Sequence, residues 1–152
     1  MSERRIFVYG AGGHGKVVAD LLMSRDEAEF AGFVDDREEL WGATVMGWPV
    51  LGGGEWLRRE AGSSRIAVAL GVGENASRKW IAKNCAYWGA EILTVVHAKA
   101  AMSRAARVGQ GTVVMANATV NPDAMVGEGV IVNSGKGTEN CVPLAQRVGG
   151  QA

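Results

Sequence analysis

Between Val96 and Val132 large apolar residues recur at every sixth position: Val96, Met102, Val108, Val114, Val120, Val126 and Val132. Four residues after each of the first six stands Ala100, Ala106, Thr112, Ala118, Ala124 or Val130, small until the last. Side chains repeat about every 3.6 residues on a helix and every 2 on a strand, so neither element accounts for a period of six. Separate short strands with Gly-rich turns have no reason to keep one spacing through so many consecutive positions. A coil with three flat sides does. The first residue of each side fills the interior, and a small residue four later lets the chain turn the corner. Three sides make a full turn, which predicts the internal columns Val96, Val114, Val132; Met102, Val120; and Val108, Val126, the last extended by Leu144. Gly109 and Gly127, one turn apart, are expected at repeated tight bends. After Asn133-Ser134-Gly135 the pattern falters: Lys136 takes the small slot, Thr138 the apolar one, and only Leu144 and Val148 partly restore it.

Before this ladder, short apolar runs alternate with helical spacing. Ile6-Phe7-Val8-Tyr9 predicts a buried strand over 5–9, ending abruptly in Gly10-Ala11-Gly12-Gly13-His14-Gly15-Lys16. Val17, Val18, Leu21 and Leu22 with Ala19 predict a helix that closes near Ser24. A second strand over 29–34 ends in Asp35-Asp36. A turn-rich segment over 42–54 follows, with Trp48 and Pro49, then a helix over 55–61 and a third strand over 65–70. That strand runs into a second glycine loop, Gly71-Val72-Gly73-Glu74-Asn75. Ile81, Cys85 and Trp88 mark the buried stripe of a helix over 76–88, and a fourth strand spans 91–95. Strands alternating with helices imply a parallel sheet with right-handed crossovers. The expected class is therefore α/β plus β-solenoid: a half-Rossmann sheet over 1–95, then a solenoid over 96–152, with almost no linker.

Composition narrows the function without naming it. Sixteen acidic residues balance sixteen basic ones in a chain of 152, so no global field draws in nucleic acid or an anionic membrane. Met1-Ser2-Glu3-Arg4-Arg5 leads straight into a strand with no signal peptide, and no apolar run approaches the roughly 18 residues of a spanning helix. Cys85 and Cys141 sit in no metal or redox spacing, so no metal is expected and a cytoplasmic location is the default.

Strand, glycine loop and helix form a phosphate cradle: glycines let the backbone approach an anion, and the free N–H groups of the helix start point at it. Gly10 to Gly15 satisfies both the dinucleotide fingerprint G-x-G-x-x-G and the start of G-x-x-x-x-G-K. The second fails at Val17, where a nucleoside triphosphate site needs Ser or Thr for magnesium, which speaks against ATP hydrolysis. Asp35 and Asp36 stand about 20 residues beyond the loop, where a carboxylate accepts hydrogen bonds from a ribose or a base. Yet only one nucleotide-binding half precedes the ladder, not the two that NAD uses. A tight turn without any ligand stays open as a reading of the loop, and His14 is either a donor to a phosphate oxygen or merely solvated.

Taken jointly, Val8-Tyr9-Gly10-Ala11-Gly12-Gly13-His14-Gly15 and the six-residue coil resemble the sugar O- and N-acyltransferases of the sialic-acid O-acetyltransferase and bacillosamine acetyltransferase type, over roughly residues 5 to 134. The resemblance implies a left-handed parallel β-helix, a homotrimer, and transfer of an acetyl group from acetyl-CoA to an amino or hydroxyl group of a nucleotide-linked sugar such as a UDP-amino sugar. It assigns that sugar nucleotide to Gly12, Gly13, His14, Asp35 and Asp36, with Gly53 or Gly54 lining the sugar and Gly73, Asn75 and Arg78 in the second loop. Acetyl-CoA would lie between neighbouring coils.

In that family a histidine takes the acceptor's proton as it attacks the thioester, beside an acid that raises its basicity. The family's pattern there is Asp-His-Asp-Cys; this chain reads Thr138-Glu139-Asn140-Cys141. Without a gap, Asn140 occupies the histidine position next to Glu139, and an amide takes up no proton near neutral pH; with a one-residue gap the histidine is missing. The family's second histidine aligns with Gly149. Of the two imidazoles present, His97 begins the ladder and reads as structural. The expectation is a C-terminally truncated or altered relative that keeps the nucleotide-sugar domain and the seed of a trimer but has lost most of the acetyl-CoA groove. The alternatives are a nucleotide-sugar-binding module without catalysis and a protein whose coil only assembles trimers.

Overall fold

The computed structural model describes residues 3–26 and 29–133. Its first part is built on β1 (Arg5–Tyr9), α1 (Gly13–Ser24), β2 (Phe30–Val34), β3 (Thr44–Val45), β4 (Trp48–Gly52), α2 (Gly54–Ala61), β5 (Ile66–Leu70), α3 (Asn75–Tyr87) and β6 (Glu91–Ile92). These strands form one sheet in the order β3-β4-β2-β1-β5-β6, parallel except for the antiparallel edge strand β3. Both faces are covered, which is why β1 and β5 read as continuous apolar runs. On one face Val18, Ala19, Leu21 and Leu22 of α1 pack with Ile6, Val8, Phe33 and Ala69. On the other, Leu57 of α2 and Ile81 and Cys85 of α3 pack with Phe7, Val34, Val68 and Leu70.

Six strands, not four, make this sheet. The turn-rich segment holds a hairpin whose turn residues Met46 and Gly47 both have positive φ, 53° and 83°, as its two-residue turn demands. Two- and five-residue strands interrupted by Pro49 carry too little alternation to be read in advance. Trp48 seats the hairpin against Phe30, ring centroids 4.7 Å apart. The last sheet strand also stops earlier than the apolar run suggests, at Ile92, and Val95 already pairs with the coil.

The second part consists of two-residue strands: β7 (Val95–Val96), β8 (Ala101–Met102), β9 (Arg107–Val108), β10 (Val113–Val114), β11 (Thr119–Val120), β12 (Met125–Val126) and β13 (Ile131–Val132). They stack as β13-β10-β7, β11-β8 and β12-β9, always parallel, so every third strand returns to the same stack. Val114 pairs with Val96 and Val132, Val120 with Met102, and Val126 with Val108, the register that the six-residue spacing predicts. Val114, Ala118, Val120, Val126, Val130 and Val132 are buried together inside, with Ala100, Ala106 and Ala124 beside them.

The corners are turned by a different residue from the one expected. From Thr112 on, the residue before the small one bends the chain: Gly111 (φ 82°), Asn117 (62°), Asp123 (65°) and Gly129 (65°) are left-handed, whereas Lys99 and Ala105, before Ala100 and Ala106, are not. The following amide closes the turn, as from Thr112 to Gly109 O and from Ala118 to Met115 O. Glycine, Asn and Asp at this third turn position fit a turn that requires positive φ there. Gly109 and Gly127 are not bends. Gly109 is needed for close approach, since a Cβ on it would lie 2.6 Å from the carbonyl carbon of Gly127, whereas a Cβ on Gly127 would meet only Val130 Cγ2 at 3.9 Å. Leu144 and Val148 lie outside the described residues.

The coil is not hung from a tether. Val95 and Val113 point outward from the first stack into the α1 side of the sheet and join its core. Arg25, just past α1, donates to Val96 O at 3.0 Å.

Candidate functional site

A cleft of about 490 Å³ opens at the C-terminal ends of β1, β2 and β5, where the chain leaves β1 for strands on opposite sides. In open α/β sheets this switch point is where ligands bind. The two glycine loops form its floor: Gly10, Gly12, Gly13 and His14 from one, Gly71, Val72, Gly73 and Glu74 from the other. Their glycines divide into two kinds. Gly10 (φ 117°) would put a Cβ 2.7 Å from Gly71 O, and Gly15 would put one 1.8 Å from Gly10 O, so these two are demanded by packing. At Gly13 and Gly73 a Cβ would meet nothing, and at Gly12 only an Arg37 nitrogen at 3.7 Å. Nothing within the fold requires the small residues that line the open side.

Helix α1 starts on this floor with Gly12 as its N-cap. It has neither a side-chain cap nor an acidic residue in its first turn, so its first N–H groups and its positive end face the cleft. Helix α3 starts there too, but Glu74 caps it, accepting from Ser77 N at 2.9 Å and Ala76 N at 3.2 Å. The Ser77 contacts, then that of Ala76, hold this carboxyl below its usual value.

The two acids after β2 differ. Asp35 is buried and fully engaged: Oδ2 accepts from Ala11 N and Arg37 Nη2, both at 2.9 Å, and Oδ1 from Arg37 N at 2.9 Å and Nε at 3.0 Å. Burial alone would push its carboxyl up, but the hydrogen bonds of Arg37 and Ala11 outweigh it and hold the group below its ordinary value. Asp35 thus ties the first loop to β2. Asp36 is exposed; its Oδ1 takes Gly54 N at 2.8 Å, capping α2, and the Tyr9 hydroxyl lies 2.9 and 3.0 Å from its two oxygens. Oδ2 shares only that hydroxyl, so Asp36 retains acceptor capacity toward the cleft. Burial, then the Asp36 charge, drives the Tyr9 phenol well above its usual value, and it stays a neutral donor. His14 lies at the floor with Nε2 shielded and without a hydrogen-bond partner among the described residues. Burial, then the charge of Arg78, pushes its imidazole below the ordinary value, so it is neutral at pH 7.

Of the residues expected at the site, Gly12, Gly13, His14, Asp35, Asp36 and Gly73 line this cleft. Gly53 lies beneath Asp36 and Trp41, and Asn75 is the exposed first residue of α3; neither is on the lining. Arg78 is fully buried, and its guanidinium turns away to backbone carbonyls, so it is not a cleft contact. Glu139 and Asn140 lie outside the described residues. Sequence reasoning passed over Tyr9, Arg37, Ser77 and Trp80. Trp80 carried a usable signal: it sits beside the buried stripe of α3, and a half-exposed indole there, held edge-on by Trp88, forms a wall of the cleft. Among the described residues no group of His, Cys, Asp and Glu is placed to hold a metal ion, and no helix is long and apolar enough to cross a membrane.

Comparison with known proteins bears on this arrangement directly. Residues 5–85 match the PglD N-terminal domain. The chain belongs to that family. A UDP-N-acetylbacillosamine N-acetyltransferase from Bacillus subtilis is 31% identical over 120 residues, covering 72% of this chain and 50% of that protein. A perosamine N-acetyltransferase from Caulobacter crescentus, solved as a histidine-to-asparagine mutant in complex with CoA and GDP-perosamine, shares the fold at a TM-score of 0.79 and 28% identity. That match covers 88% of this chain and 61% of that one. The acetyltransferase domain of PglB from Neisseria gonorrhoeae, in complex with acetyl coenzyme A, matches at 0.76 and 33% identity over 91% of this chain and 66% of that one. The resemblance carried by the first glycine loop and the coil is thus found again over most of the chain, and these relatives are acetyltransferases, the Bacillus and Caulobacter proteins N-acetyltransferases of sugars. This chain spans about half the length of the curated relative it matches.

Proposed function

We propose that the cleft binds a nucleotide-linked amino sugar and that the protein serves acetyl transfer from acetyl-CoA to that sugar. The observation that carries this reading is the uncapped start of α1 beside Gly12 and Gly13, two glycines with free space over them. A diphosphate laid there receives the free N–H groups and the positive end of the helix, while α3 already has its own carboxylate. Asp36 takes hydroxyl or base N–H groups, Trp80 and Ile81 give an apolar wall, and neutral His14 offers an imidazole N–H or lone pair without adding charge. UDP- and GDP-linked amino sugars are the ligand class, by analogy with the relatives.

The coil, on this reading, is a left-handed β-helix that assembles three copies, with acetyl-CoA held between neighbouring coils as co-substrate. The general base in that groove is the weak point. Asn140, next to Glu139, stands where the family has its histidine, and an amide accepts no proton. Transfer by these 152 residues alone is therefore slow, and nucleotide-sugar binding is the stronger property.

Calorimetry with UDP- and GDP-amino sugars, paired with a thiol-release assay using acetyl-CoA, tests both halves. Binding that Gly13→Asp abolishes is expected, with thiol release far below that of the relatives. No binding by the intact chain at millimolar ligand would sink the cleft assignment, and turnover matching the relatives would sink the impairment.

A further inference from the structure

Arg78 is the largest fully buried side chain of the described residues, and no carboxylate pairs with it there. Its guanidinium instead donates to carbonyls of three separate segments. Nη1 reaches Val72 O at 2.8 Å, Nη2 reaches Gly129 O at 2.9 Å, and Nε reaches the same oxygen at 3.3 Å. Gly111 O lies at the limit, 3.5 Å from Nη2. Val72 belongs to the second glycine loop of the cleft. Gly111 and Gly129 are the left-handed corners of two successive turns of the coil. A planar group with five fixed donors spans such a set, whereas a lysine ammonium on its flexible stem does not.

The contacts continue on either side. A Cβ on Gly10 would stand 2.8 Å from Val72 Cγ1, so Val72 transmits position to the first glycine loop, and Gly111 is pressed against Ile92 and Leu70 of the sheet. Burial lowers the guanidinium only to about 10, so it stays charged at neutral pH, its charge balanced by carbonyl dipoles.

We propose that Arg78 is a positioning residue: it clamps the wall of the cleft to two corners of the coil, so that occupancy of the cleft is felt in the coil and the two keep a fixed separation. The functional meaning of the clamp rests on the nucleotide-sugar reading of the cleft; the clamp itself does not.

Amide hydrogen exchange on the whole chain and its Arg78→Lys and Arg78→Met variants tests it, with and without UDP. Met removes the charge along with the fork, so it serves as the second variant should a misplaced ammonium not be tolerated. In the ligand-free variants the amides of Gly71 and Gly129 are expected to exchange together, roughly tenfold or more faster, while that of Asp35, bonded to Gly52 O, is unchanged. UDP should slow both Gly71 and Gly129 in the unaltered chain but only Gly71 in the variants. Faster exchange at one side alone, or at neither, overturns the clamp. Failure of UDP to bind the unaltered chain overturns the nucleotide reading instead, and the ligand-free exchange still decides the clamp.

Discussion

A methyl group added at Gly13 would meet nothing, whereas at Gly15 it would be driven into Gly10 O. The two substitutions should therefore separate binding from folding. Gly13→Ala is expected to leave the urea midpoint unchanged or slightly raised, since alanine restricts the unfolded chain, while weakening UDP-sugar binding by about tenfold or more, roughly 1.4 kcal/mol. Gly15→Ala should cost about 3 kcal/mol or more in the same denaturation experiment, because backbone, not a flexible side chain, is in the way. Asp35 supplies a pH signature. Its folded carboxyl titrates below the unfolded value, so its contribution is present in full above about pH 3.8 and is lost as the pH falls through the lower folded value. Melting temperature followed from pH 7 to 2 should fall less steeply in Asp35→Asn, which is also less stable at pH 7. The glycine loops and both acids were legible because spacing alone places them. The division of labour between the acids was not, since it depends on Arg37 folding back two residues and on Tyr9 reaching across from the neighbouring strand.

Each side of the coil is only a two-residue strand with a turn, so its stability lies in repetition and not in any single ladder. Thr112 shows how the levels are joined: its buried hydroxyl donates to Gly127 O at 2.7 Å and accepts from Val130 N at 3.0 Å. One turn earlier Thr94 likewise donates to Gly109 O, but accepts from Gly111 N, one residue before the equivalent of Val130. Thr112→Val keeps the shape but strands the buried Val130 amide and frees the exposed Gly127 carbonyl, and a loss of about 1–3 kcal/mol is expected from equilibrium unfolding. At the corners, Asn117→Gly should be close to neutral, while Asn117→Val forces a β-branched residue into the left-handed region at about 1–2 kcal/mol. The columns could be read from a single period, because interior packing repeats with it. The corner residues were missed because Gly, Asn and Asp share the position by backbone geometry, which hydrophobic periodicity does not record. Likewise the β3–β4 hairpin is set by a turn and one tryptophan contact, not by alternation.

At the scale of the molecule, the sheet and the coil share a core. Val95 and Val113 fill the α1 face alongside Val18 and Leu22, so a fragment ending at residue 93 would uncover that face. Such a fragment is expected to bind a hydrophobic dye and to associate at concentrations where the full chain does neither; a well-behaved monomer would show that the two parts fold independently. The shared core also sets which changes in length the chain tolerates. Because every coil pairing joins residues eighteen apart, a tandem copy of residues 115–132 placed after Val132 would simply add a storey. Excising residues 115–120 would be commensurate with one side but not with a revolution. It would swing everything beyond by a third of a circle, bring Met125-Val126 onto the edge vacated by Thr119-Val120, and carry Gly129 out of alignment with Gly111. Insertions and deletions in this region thus obey a counting rule, and a six-residue lesion, harmless to the interior, would unfasten the storey from the arginine that grips it.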